Sequence, residues 1–384
     1  ARFTMPYLPL ISIVALWAAI ANAHDHFKAG AAAPIIANIC FIAGAVSIPF
    51  IASHLGVLRA VPIAVALVIA GGAQLIFLYW TLSRLDAVPA LIWPRLSDAG
   101  RKMWRNFLPA AAGAGGMQLN LLIDLILASL LPVGAISWLY YADRVAQLPL
   151  GVIGIALGTA LLPRLSAAEA AGQTAEARNS LSEALGFAGF FVIPAVTGLV
   201  LCGLPIIEGL FVYGAFTSSD AKMAAMALAA YGCGLPGFVM VKILQTAFYA
   251  TSQPGMVLKI SLITVAINVA GSLSLMPILG HVGLALATAI SGTVAAAIML
   301  YLLARQHRLS ASFLPVCGKI MLASAVMGAA IVSLQFGLDR LVFVPAAFGL
   351  VVIVGGGGAV YAVTAYVIGA IPQGLLSTWH DRNT

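Results

Sequence analysis

Apolar runs long enough to cross a membrane recur from one end of this chain to the other, separated by short polar turns. Eleven can be marked, at about 6–23, 32–54, 60–82, 107–131, 134–162, 184–204, 220–249, 256–279, 281–303, 313–337 and 342–371. A helix rises about 1.5 Å per residue, so about 20 apolar residues span a hydrocarbon core of about 30 Å. A membrane β-barrel would show shorter segments of alternating polarity instead. Lipid offers the backbone no hydrogen-bond partner, which leaves the helix as the way to satisfy every amide within one segment. The pattern therefore predicts an all-α fold, a polytopic transmembrane helical bundle.

Two connections are long enough to hold surface helices. Residues 83–106 place Trp93 and Trp104 among Arg84, Arg95, Arg101, Lys102 and Arg105. That mixture reads as an amphipathic helix lying among lipid headgroups. Residues 163–183 carry Glu169, Glu176 and Glu183 near Arg164 and Arg178, and read as a short soluble helix or helical turn. A hydropathy echo links the pair 6–23 and 32–54 with the pair 220–249 and 256–279, as internal duplication in a transporter would produce.

Composition agrees with the pattern. Charged residues make up 8% of the 384, against about 25% in soluble domains. Of the 19 Lys and Arg residues, all but Arg144 and Lys242 fall in loops or near span ends. Counted over alternate loops, thirteen lie on one side and four, Arg2, Arg59, Lys222 and Arg340, on the other. The basic side is expected to be cytoplasmic, which puts the C-terminus inside and Ala1 outside. No charged, apolar and small-residue leader pattern opens the chain, so an odd number of upstream spans is expected to be missing. The net charge of +7 lacks the basic patch with interleaved aromatics that nucleic-acid binding wants, and no nucleic-acid partner is expected. Cys40, Cys202, Cys233 and Cys317 stand singly in or beside apolar runs, indicating neither a zinc site nor disulfides. No nucleophile, paired-carboxylate or phosphate-loop motif is present, so an enzyme is not expected.

Ionisable residues inside spans cost about 2.5–3.5 kcal/mol each on insertion scales, and mark a pathway or a partner. Asp124, Asp143, Arg144 and Lys242 are the candidates. Successive helical residues point about 100° apart, so Arg144 shares a face with Tyr140 and Leu148, and Asp143 with Gln147. Pro149 should kink the span, and Gly151, Gly154 and Gly158 offer a small-residue face for close packing. Two readings of Asp143 and Arg144 stay open. In one, Arg144 faces a polar cavity and engages a pyrophosphate with its planar fork. In the other, the two belong to a buried network between helices. Lys242, in a span broken up by Gly232, Gly234, Pro236 and Gly237, either adds positive charge to the cavity, snorkels, or pairs with an acid. Asp124 with Asn268, Ser272 and Thr288 could supply oxygens to a monovalent cation, or Asp124 could partner Arg144 or Lys242.

The stretch 138–166 carries Tyr-Tyr-Ala-Asp-Arg at 140–144, Gln-Leu-Pro-Leu-Gly at 147–151, Gly-Ile-Ala-Leu-Gly-Thr at 154–159 and Leu-Leu-Pro-Arg-Leu-Ser at 161–166. This strongly resembles the signature of the MurJ/MviN family of lipid II flippases. Phe-Tyr-Ala at 248–250 before Pro254, Pro34 with Asn38, and Leu-Leu-Ile-Asp at 121–124 resemble it as well. The resemblance implies a two-lobe transporter fold of the multidrug/oligosaccharidyl-lipid/polysaccharide (MOP) superfamily, with a cationic cavity and two extra C-terminal helices that help form a groove for the lipid tail. On that map, 1–82 is the second half of the N-lobe and 83–106 an amphipathic cytoplasmic linker. Residues 107–303 are the C-lobe, and 313–371 the two extra helices.

Of the family's cavity arginines only Arg144 carries over. The others lie in upstream spans absent from this sequence, which puts transport by this stretch alone in doubt. The implied activity is transfer of the lipid-linked peptidoglycan precursor from the cytoplasmic to the periplasmic leaflet of the bacterial inner membrane, by alternating access. No cofactor is expected; the driving force is expected to be a monovalent cation (Na+ or H+) or the membrane potential. Lipid II, membrane lipids and cell-wall synthesis or division proteins are the expected partners. A related lipid-sugar flippase, a drug antiporter and a non-transporting scaffold remain the alternatives. Arg144 and Lys242 weigh against the antiporter, which would want an acidic cavity.

Overall fold

In this computed structural model the described residues are 3–24, 26–55, 60–89, 100, 101, 104, 120–309, 314–338 and 346–372. All regular structure among them is helical. Eight of these helices are long and apolar enough to cross a membrane. Three expected spans do not meet that length in one piece. Tyr7–Ala23 has 17 residues, and the span expected at 107–131 is described only from Asn120, as the helix Asn120–Ser129. The third, at 134–162, is interrupted by a π-helical segment. Much of the linker expected at 83–106 lies outside the described residues, as do Arg2, Arg59, Arg340 and Arg382.

The chain divides into two compact units, Ala1–Arg101 and Lys102–Thr384. In the first, α1 (Tyr7–Ala23), α2 (Phe27–Leu55) and α3 (Ala60–Ser83) pack on one another. Val14, Ala21, Ala29, Ala33, Leu78 and Leu82 form the buried core between them. Gln74 of α3 is buried there, and its Nε2 donates to the Ala33 carbonyl at 2.8 Å. That bond satisfies the buried amide's donor in an apolar setting, while Gln74 Oε1 has no partner among the described residues. At the end of α3, the Arg84 guanidinium lies 3.7 Å from the centre of the Trp80 ring.

The second unit is built around α9 (Ser218–Ala250). Packed against it are α5 (Ala135–Pro149), α6 (Ala156–Ala170), α7 (Thr174–Leu201), α8 (Gly203–Phe211) and α11 (His281–Arg305). Leu181, Leu228, Leu235, Ile243, Leu244 and Phe248 fill the core. α10 (Pro254–Leu279) lies mainly on α11, and α4 is Asn120–Ser129. Helices in lipid gain little from apolar burial between them, so close approach decides packing. The α9–α11 seam shows it: a methyl group on Gly237 would sit 2.7 Å from Thr293 Cα and 2.8 Å from Thr293 N.

α9 starts with a reciprocal cap. The Thr217 hydroxyl accepts from Asp220 N at 3.3 Å, and Asp220 Oδ2 accepts from Thr217 N at 2.9 Å. Asp220 Oδ1 also accepts from Trp138 Nε1 of α5 at 2.8 Å. The Trp138 ring meets His281 edge-on at 5.1 Å, and His281 Nε2 lies 2.9 Å from the Met223 carbonyl. One aromatic cluster therefore ties together the first turns of α5, α9 and α11.

The stretch 163–183 differs from the short soluble helix expected of it. It consists of the facing ends of α6 and α7 around a turn at 171–173. Gly172 takes φ +70°, Gln173 N donates to Ala168 O at 2.8 Å, and Gly172 N donates to Glu169 O at 3.1 Å. This is a glycine-terminated helix end, which caps the free carbonyls of α6. The polar residues that lower the hydropathy here do not end either helix. Glu169 pairs with Arg308, which follows α11, as the ion pair among the described residues.

α12 (Leu314–Leu338) and α13 (Ala346–Val367) pack on each other and on α7. Tyr361 Oη donates to Phe190 O at 2.6 Å, and Gln335 Nε2 to Leu201 O at 3.0 Å. Lys319 Nζ donates to Gly369 O at 3.3 Å.

Candidate functional site

Three groupings in the second unit hold the residues singled out in the sequence. The first is the polar face of α5. Asp143 accepts a hydrogen bond from Gln147, one turn along the same helix. Arg144 is exposed, and its guanidinium lies over the Tyr140 ring, 4.8 Å from the centre. Asp143 and Arg144 thus each use a neighbour four residues away, as the 100° step requires. Arg144 forms no ion pair among the described residues. A guanidinium in that condition keeps its charge and its hydrogen-bonding fork for an outside anion.

Below Arg144 the helix changes pitch. Pro149 has no N–H to give the preceding turn, and Leu150–Ile155 is wound as a π-helix before α6 resumes. Pro149 therefore leaves a wide turn in a helix that continues. Lys242 of α9 packs its stem there: methyl groups on Gly154 would touch Lys242 Cβ and Cγ at 3.7 Å, and one on Gly158 the Lys242 carbonyl at 3.6 Å. Gly151 faces open space. No ion pair or hydrogen bond joins Lys242 to Arg144, Asp143 or Asp124 among the described residues.

The second grouping lies between α4 and α10. Asn268 Nδ2 donates to Asp124 Oδ1 at 2.9 Å and to Asn120 Oδ1 at 3.0 Å. Asn120 Nδ2 lies 3.4 Å from Asp124 Oδ2. Asn268 and Ser272, one turn apart on α10, are 1% and 0% exposed, and Asn268 Oδ1 and Ser272 Oγ have no partner among the described residues. An unpaired buried polar atom costs about 1–3 kcal/mol, so two such oxygens one turn apart on α10, the first of them on the residue bound to Asp124, are a place where a bound cation would be repaid with oxygen ligands. Thr288 Oγ1 donates to the Leu284 carbonyl of its own helix at 3.1 Å, which leaves its oxygen lone pairs unused. Asn120 was absent from the sequence-derived set; its position four residues before Asp124 is the signal that could have found it. Among the described residues no group of three or more His, Cys, Asp or Glu offers a transition-metal site.

The third grouping is apolar. Pro149, Phe191, Pro194, Gly198, Cys202, Met327, Ile331, Gly358 and Tyr361 line a cavity of about 350 Å³ where α7 and α8 meet α12 and α13. Its wall is mainly hydrocarbon, apart from the Cys202 and Met327 sulfurs and the Tyr361 hydroxyl, which donates to the Phe190 carbonyl. Such a wall suits an alkyl or prenyl chain and repels water.

Comparison with known proteins bears on these groupings. The family model described as lipid II flippase MurJ matches residues 1–353. A probable lipid II flippase MurJ of Rhizobium tropici is 33% identical over 98% of this chain and 72% of its own length. A counterpart in Rickettsia prowazekii is 32% identical over 85% of this chain and 64% of its own length. The lipid II flippase MurJ of Burkholderia cenocepacia is 32% identical over 86% of this chain and 63% of its own length. The chain thus spans 63–72% of the length of these relatives. A solved structure of lipid II flippase MurJ in an inward closed conformation superposes with a TM-score of 0.77, at 24% identity, covering 95% of this chain and 73% of that one.

Proposed function

From the premise that this chain belongs to the MurJ lipid II flippase family, we propose that it moves the lipid-linked peptidoglycan precursor from the cytoplasmic to the periplasmic leaflet of the bacterial inner membrane. It is a multi-pass helical membrane protein with the fold of that family. The observation that carries the reading beyond family membership is Arg144, exposed and in no ion pair among the described residues. The substrate pairs a pyrophosphate and a sugar–peptide headgroup with a long prenyl tail, and the headgroup cannot cross hydrocarbon unaided. Arg144 contacts the pyrophosphate, Asp143 sets the polar face beside it, and Lys242 adds positive charge. The apolar cavity beside α12 and α13 keeps the tail in a lipid-like setting. Exposure of the site to each side in turn completes the transfer. The C-terminus lies in the cytoplasm, following the excess of Lys and Arg on that side. Cells depleted of their own flippase and supplied with the full-length protein are expected to regain periplasmic exposure of the precursor, measured by labelling or enzymatic digestion from outside. Continued absence of exposure with normal membrane abundance would point to another lipid-linked sugar, or to a scaffold that recruits cell-wall proteins.

A second reading concerns energy input. Asp124, Asn268 and Ser272, with Asn120, form a site for a monovalent cation, Na+ or H+, favoured by the two unpartnered buried oxygens. Transport by the parent is expected to rise with sodium or with proton concentration. Asp124→Asn is expected to remove that dependence and slow flipping about tenfold, the loss of roughly 1.4 kcal/mol of coupling. A parent rate indifferent to both ions would refute the site and leave the membrane potential as the driving force.

A further inference from the structure

We propose that Tyr140 is a positioning residue: its ring, braced by an aromatic stack running from α8, holds the Arg144 guanidinium ready for its anion. The inference rests on the reading of Arg144 as the pyrophosphate contact. Tyr140 is 53% exposed on the surface of α5. It is nonetheless held. The Tyr140 ring meets Tyr141 edge-on at 5.8 Å. Tyr141 in turn packs at 4.6 Å on Phe211, the last residue of α8, and at 5.0 Å on Phe216, just before α9. Phe211 and Phe216 close the group at 6.4 Å. Aromatic pairs at such distances are directional, so each ring fixes the next.

The free end of that stack is the Tyr140 face, over which the Arg144 guanidinium lies at 4.8 Å. A ring face attracts the cation through its quadrupole and takes none of its N–H groups. A carboxylate would hold the guanidinium as firmly but would occupy those N–H groups and cancel the charge. Asp143, the nearest acid in sequence, accepts its hydrogen bond from Gln147 and acts on Arg144 only as a neighbouring charge. Arg144 is therefore ordered with no acidic hydrogen-bond partner on its N–H groups among the described residues. A long side chain that must be ordered on binding loses affinity, and one ordered beforehand does not. The same arrangement of arginine on an aromatic four residues earlier occurs at Arg84 on Trp80 and Arg305 on Tyr301. Both of those lie at the ends of α3 and α11, where a basic side chain serves as an anchor. The Tyr140–Arg144 pair sits well inside α5 and continues into the stack, as an anchor would not.

Binding of undecaprenyl pyrophosphate to the purified full-length protein in detergent, with the thermal midpoint followed alongside, tests the proposal. Tyr140→Phe, which keeps the ring, is expected to bind within about twofold of the parent, whereas Tyr140→Leu is expected to bind about fivefold more weakly at an unchanged midpoint. Tyr141→Leu, which removes the brace, is expected to fall between the two. Should Tyr140→Leu lower the midpoint, Tyr140→Gln is read in its place. Parent-like binding by the ring-free variant, while Arg144→Ala loses binding, would overturn this inference alone. Equal weakening by Tyr140→Phe and Tyr140→Leu would also overturn it, since the hydroxyl and not the ring would then matter. Parent-like binding by Arg144→Ala would overturn both the inference and the reading beneath it.

Discussion

Replacing Arg144 by Ala in the full-length protein is expected to lower precursor exposure more than about 100-fold at normal membrane abundance. The magnitude follows from the contact proposed. A guanidinium gives a pyrophosphate two parallel charge-assisted hydrogen bonds, each worth about 1.5–3 kcal/mol, and about 1.4 kcal/mol is a factor of ten. Abundance should hold because the side chain is exposed and supports no ion pair among the described residues. Arg144→Lys keeps the charge and loses the fork, so an intermediate loss, about tenfold, is expected. The measurement is extracellular accessibility of the lipid-linked precursor in flippase-depleted cells, with membrane protein quantified in parallel. Full activity of Arg144→Ala would move the residue to a structural role.

A large loss of stability is expected of Gly237→Ala. The added methyl would meet backbone atoms of Thr293 at 2.7 and 2.8 Å and the Gly292 carbonyl carbon at 3.0 Å. Carbon contacts are comfortable only at about 3.5–4.0 Å, so α9 and α11 would have to part by about 1 Å along their seam. Backbone cannot swing aside as a side-chain tip can, and overpacking of this kind costs about 1–3 kcal/mol. The thermal midpoint of the purified protein should fall by several degrees, with reduced abundance in the membrane. Gly318→Ala on α12, where nothing lies within 4 Å, is the matched control and should be neutral or slightly stabilising. An unchanged midpoint for Gly237→Ala would mean that the seam is looser than its geometry implies.

Hydropathy reads spans well because the bilayer imposes apolarity on every face of a helix, so no period need be judged. It reads helix ends poorly. Charges at 163–183 lower the hydropathy, yet α6 continues to Ala170 and α7 has started by Thr174, because a helix leaving the membrane keeps its own hydrogen bonds. The glycine that ends α6 was in plain sight as Gly172. Contacts within one helix were equally readable: Arg144 with Tyr140 and Asp143 with Gln147 follow from spacing alone. Contacts between helices were not. Trp138 and Asp220 are 82 residues apart, and Glu169 and Arg308 are 139 apart, with no local signal in either stretch. The α4–α10 grouping was half legible. Oxygen-bearing residues in adjacent apolar spans invited a cation reading, but that Asn268 bridges Asp124 and Asn120 needed coordinates.

The polar bonds that fasten the last two helices share a property with consequences for how such chains diverge. Tyr361, Gln335 and Lys319 donate to the carbonyls of Phe190, Leu201 and Gly369, and Gln74 and His281 likewise reach carbonyls on other helices. Every residue type carries that acceptor. The accepting position can drift to almost any amino acid without losing the bond, so no compensating change is demanded of the donor. Pairwise covariation among homologues would therefore pass over these junctions, even though two of them, at Tyr361 and Gln335, fasten α13 and α12 to α7. An alignment would show a donor held steady opposite positions that vary at will.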